Sequence, residues 1–389
     1  MKRAILLTTT LWGLTFLLAG AARPALAQSC DWEPLGSGLA GGINFVEALT
    51  VFDDGSGPAL YAGGHFLIAG SVPANYIAKW DGTQWSSLGS GMDASVRALT
   101  VYDDGTGPAL YAAGEFTMAG GVAANFIAKW DGTQWSPLGS GLGRTAYAIT
   151  VFDDGNGPAL YAGGDFSTAG GEVTRFIAKW DGTRWASVDI DGIGMSNPVF
   201  ALSVFDDGNG PALYAGGIFT IAGGVPANHI AKWDGTQWAP LSSGMNDTVY
   251  RLTGFDDGSG LALYAGGSFT TADGLEVNHI AKWDGTQWSP LGSGVNGNFV
   301  LGLTVFDDGN GPALYAGGNF TTAGSMPANR IAKWDGTQWA PLGSGMNDLV
   351  VALTVFDDGT GPALYVGGNF TMAGNVAANR IAAWRCVMP

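Results

Sequence analysis

The sequence predicts an all-β protein, a seven-bladed β-propeller of four-stranded blades whose ring is closed by a composite seventh blade. Three observations predict it. A phrase of about 50 residues recurs along the chain. Each copy divides into four strand patterns separated by turn-forming residues. The chain opens on a lone fourth-strand pattern and stops after a third-strand pattern.

The period is read from the aliphatic or Gly position four residues before the Gly of Asp-Asp-Gly. It falls at Val51, Val101, Val151, Val204, Gly254, Val305 and Val355, with spacings of 50, 50, 53, 50, 51 and 50. A four-stranded propeller blade has this length, somewhat longer than a WD40 unit.

Strand one is V-x-A-L-T-V-F, as at residues 199–205, and it ends in Asp-Asp-Gly-x-Gly-Pro, where Gly supplies positive φ and Pro restarts an extended chain. Strand two is A-L-Y-A-G-G, as at 159–164. Its Gly pair predicts a bulge or a close backbone approach near the crowded axis. A longer loop, F-T-x-A-G-G-x-x-A-N, leads to strand three, as at 177–180. Asp181-Gly182 then makes a two-residue hairpin turn into strand four around Trp185.

The ends decide how the ring shuts. Cys30-Asp31-Trp32-Glu33-Pro34-Leu35-Gly36 matches a fourth strand such as Thr133 to Gly139, and Ile381 to Cys386 matches a third strand and the start of its turn. The seventh blade therefore takes strand four from the N-terminus and strands one to three from the C-terminus. In that register Cys386 stands where Gly132 stands and Cys30 where Thr133 stands, so the two cysteines of the chain are neighbours and are expected to form a disulfide.

Residues 1–27 read as a signal peptide, with basic Lys2 and Arg3, an apolar stretch to about Leu18, and a small-x-small site at Ala25-Leu26-Ala27. Cleavage near Ala27 leaves one propeller domain, 28–389, secreted, periplasmic or at the cell surface, where disulfides form. No later segment is a membrane span. The formal net charge of −16 becomes −19 once the leader's three cations are lost, which argues against nucleic acid and anionic membranes as partners.

The Gly doublet, the following turn region and the paired Trp before a loop resemble the kelch and galactose-oxidase type of blade. The fuller phrase L-Y-A-G-G-x-F-T followed by A-N-x-I-A-K-W-D-G-T-x-W-x-x-L-G-S-G resembles repeats of secreted bacterial proteins, and similar blades occur in a fungal cortical polarity family. The resemblance spans residues 30–386 and implies the fold. It implies no activity, since propellers host many.

Copper radical chemistry of the galactose-oxidase kind needs His and Tyr ligands and a free cysteine for crosslinking, but the chain has only His65, His229 and His279, with both cysteines at its ends. Parts for a Ser or Cys triad are missing. The Asp-Gly-Thr-x-Trp element resembles a sialidase Asp-box with a spacing one residue short. Most acids recur in every blade, as structural acids do, so no residue is assigned a catalytic role. The fourteen acids of the Asp-Asp-Gly loops, from Asp53 and Asp54 to Asp357 and Asp358, are solvated turns or a Ca²⁺-holding ring, although they lack the alternating spacing that wraps one ion. No other cofactor is expected, and no metal ligand is assigned.

The opposite face carries the variation. After the Gly pair stand His65, Glu115, Asp165, Ile218, Ser268, Asn319 and Asn369. After the A-N element or its equivalent stand Tyr76, Phe126, Phe176, His229, His279, Arg330 and Arg380. At the start of strand one stand Glu47, Arg97, Tyr147, Phe200, Tyr250, Leu301 and Val351. Loops on a rigid scaffold are where binding residues concentrate. The expected ligand contacts are His65, Tyr76, Arg97, Glu115, Phe126 and Asp165, which join polar handles to stacking surfaces. The function expected is an extracytoplasmic binding or scaffold protein for a protein or glycan. The alternative is a carbohydrate-active hydrolase or lyase, which a deep pocket with an unrepeated carboxylate pair would favour.

Overall fold

The computed structural model describes residues 29–42, 45–189 and 192–387. The expected leader, residues 1–27, lies outside them. Among the described residues there is no helix long and apolar enough to cross a membrane. They form seven four-stranded antiparallel sheets, each with neighbouring strands in chain order except where the two chain ends meet.

Blade 1 illustrates the unit, with strands Phe45–Asp53, Pro58–His65, Ile77–Trp80 and Trp85–Ser87 running from the axis outward. The second strand is buried on both faces because sheets lie on either side of it, hence its continuous apolar run. In blade 7, strand Ser29–Pro34 pairs with Ile381–Val387, with Cys30 opposite Cys386 and Trp32 opposite Trp384. Cys30 and Cys386 form the expected disulfide.

The Gly pair does two jobs. The register between strands one and two slips by one residue in every blade, as between Val46–Gly64 and Ala48–Gly63, so that Glu47 is an unpaired bulge residue. A Cβ on Gly64 would lie 2.0 Å from the Phe45 carbonyl oxygen, and one on Gly63 would lie 2.5 Å from Cγ1 of Val96 in the next blade. The first Gly is thus a notch for the neighbouring blade's Val, repeated at Gly163 with Val199, Gly216 with Val249, and round to Gly367 with Val46. Blade 2 carries Ala113 in place of the Gly, and the facing residue in blade 3 is Ala146 instead of Val; both are fully buried in one cluster. One carbon is gained on the blade 2 side and two are lost on the blade 3 side.

The loops between strands one and two are closed from within. Asp53 accepts bonds from the Gly55 and Gly57 amides at 2.8 and 3.0 Å. Asp54 accepts from the Tyr61 hydroxyl at 2.8 Å and the Lys79 ammonium at 2.6 Å. Burial alone would raise the Asp54 carboxyl, but the bonds from Lys79, Ser56 and Tyr61 outweigh it and hold it down at about 2. The Tyr–Asp–Lys set recurs in blades 1 to 6. Blade 7 has Ala383 at the Lys position, and Arg385, two residues on, reaches Asp358 at 2.7 Å instead. These acids are internally compensated structural groups. Among the described residues no group of three or more His, Cys, Asp or Glu is arranged to hold a metal ion. The Asp-Gly hairpins behave as turn formers: Asp81 accepts from the Thr83 and Gln84 amides, both at 2.8 Å.

The Ala113–Ala146 exchange gives a direct stability test. Ala146→Val pushes a branched side chain against the Ala113 methyl and should cost about 1–3 kcal/mol. Adding Ala113→Gly recreates the pair used at the other blade junctions and should recover most of that loss. A double-mutant cycle from denaturant melts measures the coupling, and additive effects would refute the notch.

Candidate functional site

Because the bulge residue of strand one leaves the ladder, its side chain turns to the mouth of the central channel. Seven such residues ring the mouth, and all seven, Glu47, Arg97, Tyr147, Phe200, Tyr250, Leu301 and Val351, line one cavity of about 490 Å³. This is within the range of small-molecule sites, roughly 300–1,000 Å³.

The ring is chemically lopsided. Tyr147, Phe200 and Tyr250 form an aromatic arc, with centroids 5.1 Å apart for the first pair and 5.7 Å for the second. The arc continues outward to Phe299 at 6.3 Å from Tyr250. On the other side Arg97 is clamped between two carboxylates. One guanidinium nitrogen donates to Glu47 and the other to Glu115 at 2.6 Å. Phe45, His65 and Tyr76 complete that side, with the His65 and Tyr76 rings stacked at 5.4 Å.

Glu47 is the more deeply placed acid, its side chain 11% exposed against 41% for Glu115. Burial pushes the Glu47 carboxyl up to about 7, against the opposing pull of Arg97. Its Oε2 has no hydrogen-bond partner. Burial works against the Arg97 charge too, but Glu47 and Glu115 more than compensate, so the guanidinium is held more firmly in its charged form.

The structure therefore brings four of the six sequence-predicted contacts, His65, Tyr76, Arg97 and Glu115, to one cavity. Phe126 packs against the apolar cluster of blades 2 and 3, and Asp165 pairs with Arg144 at 2.8 Å; neither lines the cavity. His229 and His279 lie elsewhere on the same face.

One lining residue escaped the sequence reading. Arg251 follows the bulge residue Tyr250 and pairs with Gly266, the register position held by Ala48, Ala98, Ala148, Ala201, Gly302 and Ala352 in the other blades. A lone Arg where near-identical repeats place Ala or Gly was the available signal. Its side chain lines both the mouth cavity and the channel below it.

Seven four-stranded sheets closed about an axis define a seven-bladed β-propeller. No protein-family profile matches the chain, and no curated protein matches it. Among solved structures it is similar to the GH74 xyloglucanase from Xanthomonas campestris, at 17% identity and a TM-score of 0.50, covering 92% of this chain and 56% of that one. The chain thus spans little more than half of that enzyme's length, and the likeness is one of fold.

Glu47 also imposes a pH dependence. Its folded value of about 7 lies above its ordinary 4.5, so between those pH values the folded state holds the proton more tightly. The stability it contributes is present at low pH and is lost as pH rises through 7. The difference in melting stability between wild type and Glu47→Gln should therefore shift against wild type by on the order of 3 kcal/mol from pH 4.5 to 8. Thermal melts across that range measure it, and parallel profiles would refute the assignment.

Proposed function

We propose that this protein is an extracytoplasmic binding module that takes a short glycan into the mouth of its propeller. The observation that carries the reading is the contrast between seven nearly identical blades and one unrepeated pocket, in which an aromatic arc faces the Glu47–Arg97–Glu115 cluster. Sugar rings present apolar faces to aromatic side chains and hydroxyls to charged and polar groups, and a pocket with both suits them. Export is supported by the leader-like residues 1–27 and the Cys30–Cys386 disulfide. The kelch-type blade resemblance supports the scaffold role.

The alternative is a carbohydrate-active hydrolase or lyase. One observation favours it: Glu47 keeps a proton near neutrality beside a second, more exposed carboxylate, the division of labour that glycoside cleavage uses. Against it, Arg97 holds both carboxylates in ion pairs.

An oligosaccharide array probed with the exported protein, followed by calorimetric titration and a reducing-end assay on each hit, separates the two. Binding without new reducing ends is expected. Turnover that Glu47→Gln abolishes would establish the enzyme, and capture of a protein with no glycan hit would move the ligand class. Glu115→Gln and Tyr76→Asn, the latter chosen because residue 76 sits at φ 65° where Asn is tolerated, should each weaken binding about 10-fold, an interaction worth roughly 1.4 kcal/mol. Melting temperature should stay nearly unchanged. Lost stability with unchanged binding would make these residues packing groups.

A further inference from the structure

Arg251 is expensive to keep where it is. Its position on strand one is occupied by Ala in five blades and Gly in one, so the fold itself asks for a small residue there. Arg251 is half-buried beside the axis, and the partial loss of water around its guanidinium works against its charge, opposed by Glu47. One of its nitrogens donates to the Tyr250 carbonyl at 2.8 Å. Among the described residues no carboxylate lies within ion-pair distance of it, whereas Arg97 just above has two. A partly desolvated cation that lacks an anion is less stable than one that has it, and a pocket residue kept against the stability of the fold is one that serves a ligand.

The surroundings add direction. Arg251 is one residue further along the strand than the mouth ring and touches both the cavity and the channel beneath. Below it the side chains along the channel are aliphatic, Leu49, Leu99, Ile149 and Leu202 among them, and none carries a charge that could hold an anion. A ligand therefore enters end-on and stops with its tip at Arg251, while the following rings lie along Tyr147, Phe200 and Tyr250. Arg97 is already matched by Glu47 and Glu115, so Arg251 is the cation at the mouth whose charge is left for an incoming anion.

We infer that the pocket is specific for an acidic oligosaccharide, one whose terminal sugar carries a carboxylate that Arg251 receives at the pocket floor. This rests on the glycan reading above and names its substrate class. The fork of a guanidinium matches a carboxylate through two parallel hydrogen bonds, which gives orientation as well as affinity.

The test uses the whole exported protein and a panel of acidic oligosaccharides, trigalacturonate, a glucuronosyl xylotriose and sialyllactose, each paired with its carboxyl methyl ester. Esterification removes the charge and keeps the shape. Wild type should bind at least one acid 10-fold or more tightly than its ester. Arg251→Ala, which restores the residue of the other blades and so should fold, should remove that preference by weakening the acid alone. The unliganded variant should also melt higher than wild type, by a few degrees, whereas an arginine retained for structure would melt lower on removal. Equal binding of acids and esters, or a preference that survives Arg251→Ala, overturns the inference and leaves glycan binding standing. If neither the acids nor any neutral saccharide binds, both readings fall together.

Discussion

The seating of a Val from each blade in a notch on its neighbour governs the rest of the molecule. The first Gly of each pair has no Cβ because the Val methyl occupies its place. Packing density in protein interiors leaves little slack for one extra carbon, so the pitch between blades is set by this contact. At the blade 2–3 junction the added methyl of Ala113 is matched by a smaller partner, Ala146 in place of Val. The second Gly lies beside the bulge, and the bulge is what releases one side chain per blade toward the axis. Interblade packing and the mouth of the channel are therefore consequences of the same two glycines.

That link explains how nearly identical repeats carry a singular site. The bulge residue is exempt from the ladder and from the Val–Gly notch, so Glu47, Arg97, Tyr147, Phe200, Tyr250, Leu301 and Val351 differ without disturbing the ring. Blades 3 to 5 supply aromatics and blades 1 and 2 supply charge. The opposite face has no such freedom. There the second Asp of each loop is fixed by a Tyr and a cation, and where blade 7 has Ala383 at the Lys position, Arg385 supplies the charge from another position.

The strands, the Asp-Gly turns, the number of blades and the pairing of Cys30 with Cys386 were legible in the sequence because they depend on local turn chemistry and on counting copies. Four of six expected contacts share the pocket, yet Tyr76 and Phe126 hold equivalent positions and only Tyr76 lines it. The difference lies in what stands beside each ring, His65 and Phe45 next to Tyr76 in blade 1. The left-handed backbone of Tyr76, Phe126, Phe176, His229, His279, Arg330 and Arg380 was invisible for a different reason. Glycine or asparagine normally advertises such a conformation, and here it is imposed by the amide and carbonyl bonds that close the loop between strands two and three, as in Tyr76 to Phe66 at 2.8 Å and Gly64 to Tyr76 at 3.0 Å. The Tyr–Asp–Lys sets were read as solvated turns because their partners lie 7 and 25 residues away in sequence.

The joined ends have one more consequence. With Cys30 bonded to Cys386 and their strands paired, the polypeptide between them is a covalent circle. Cutting a circle once opens it without dividing it. A protease that nicks any single loop leaves one linked molecule with all seven blades in place, a circular permutant whose old termini are held by sulfur. Two cuts are needed before any blade can leave the ring, and a pull applied at the termini is borne by the disulfide before it reaches the sheets.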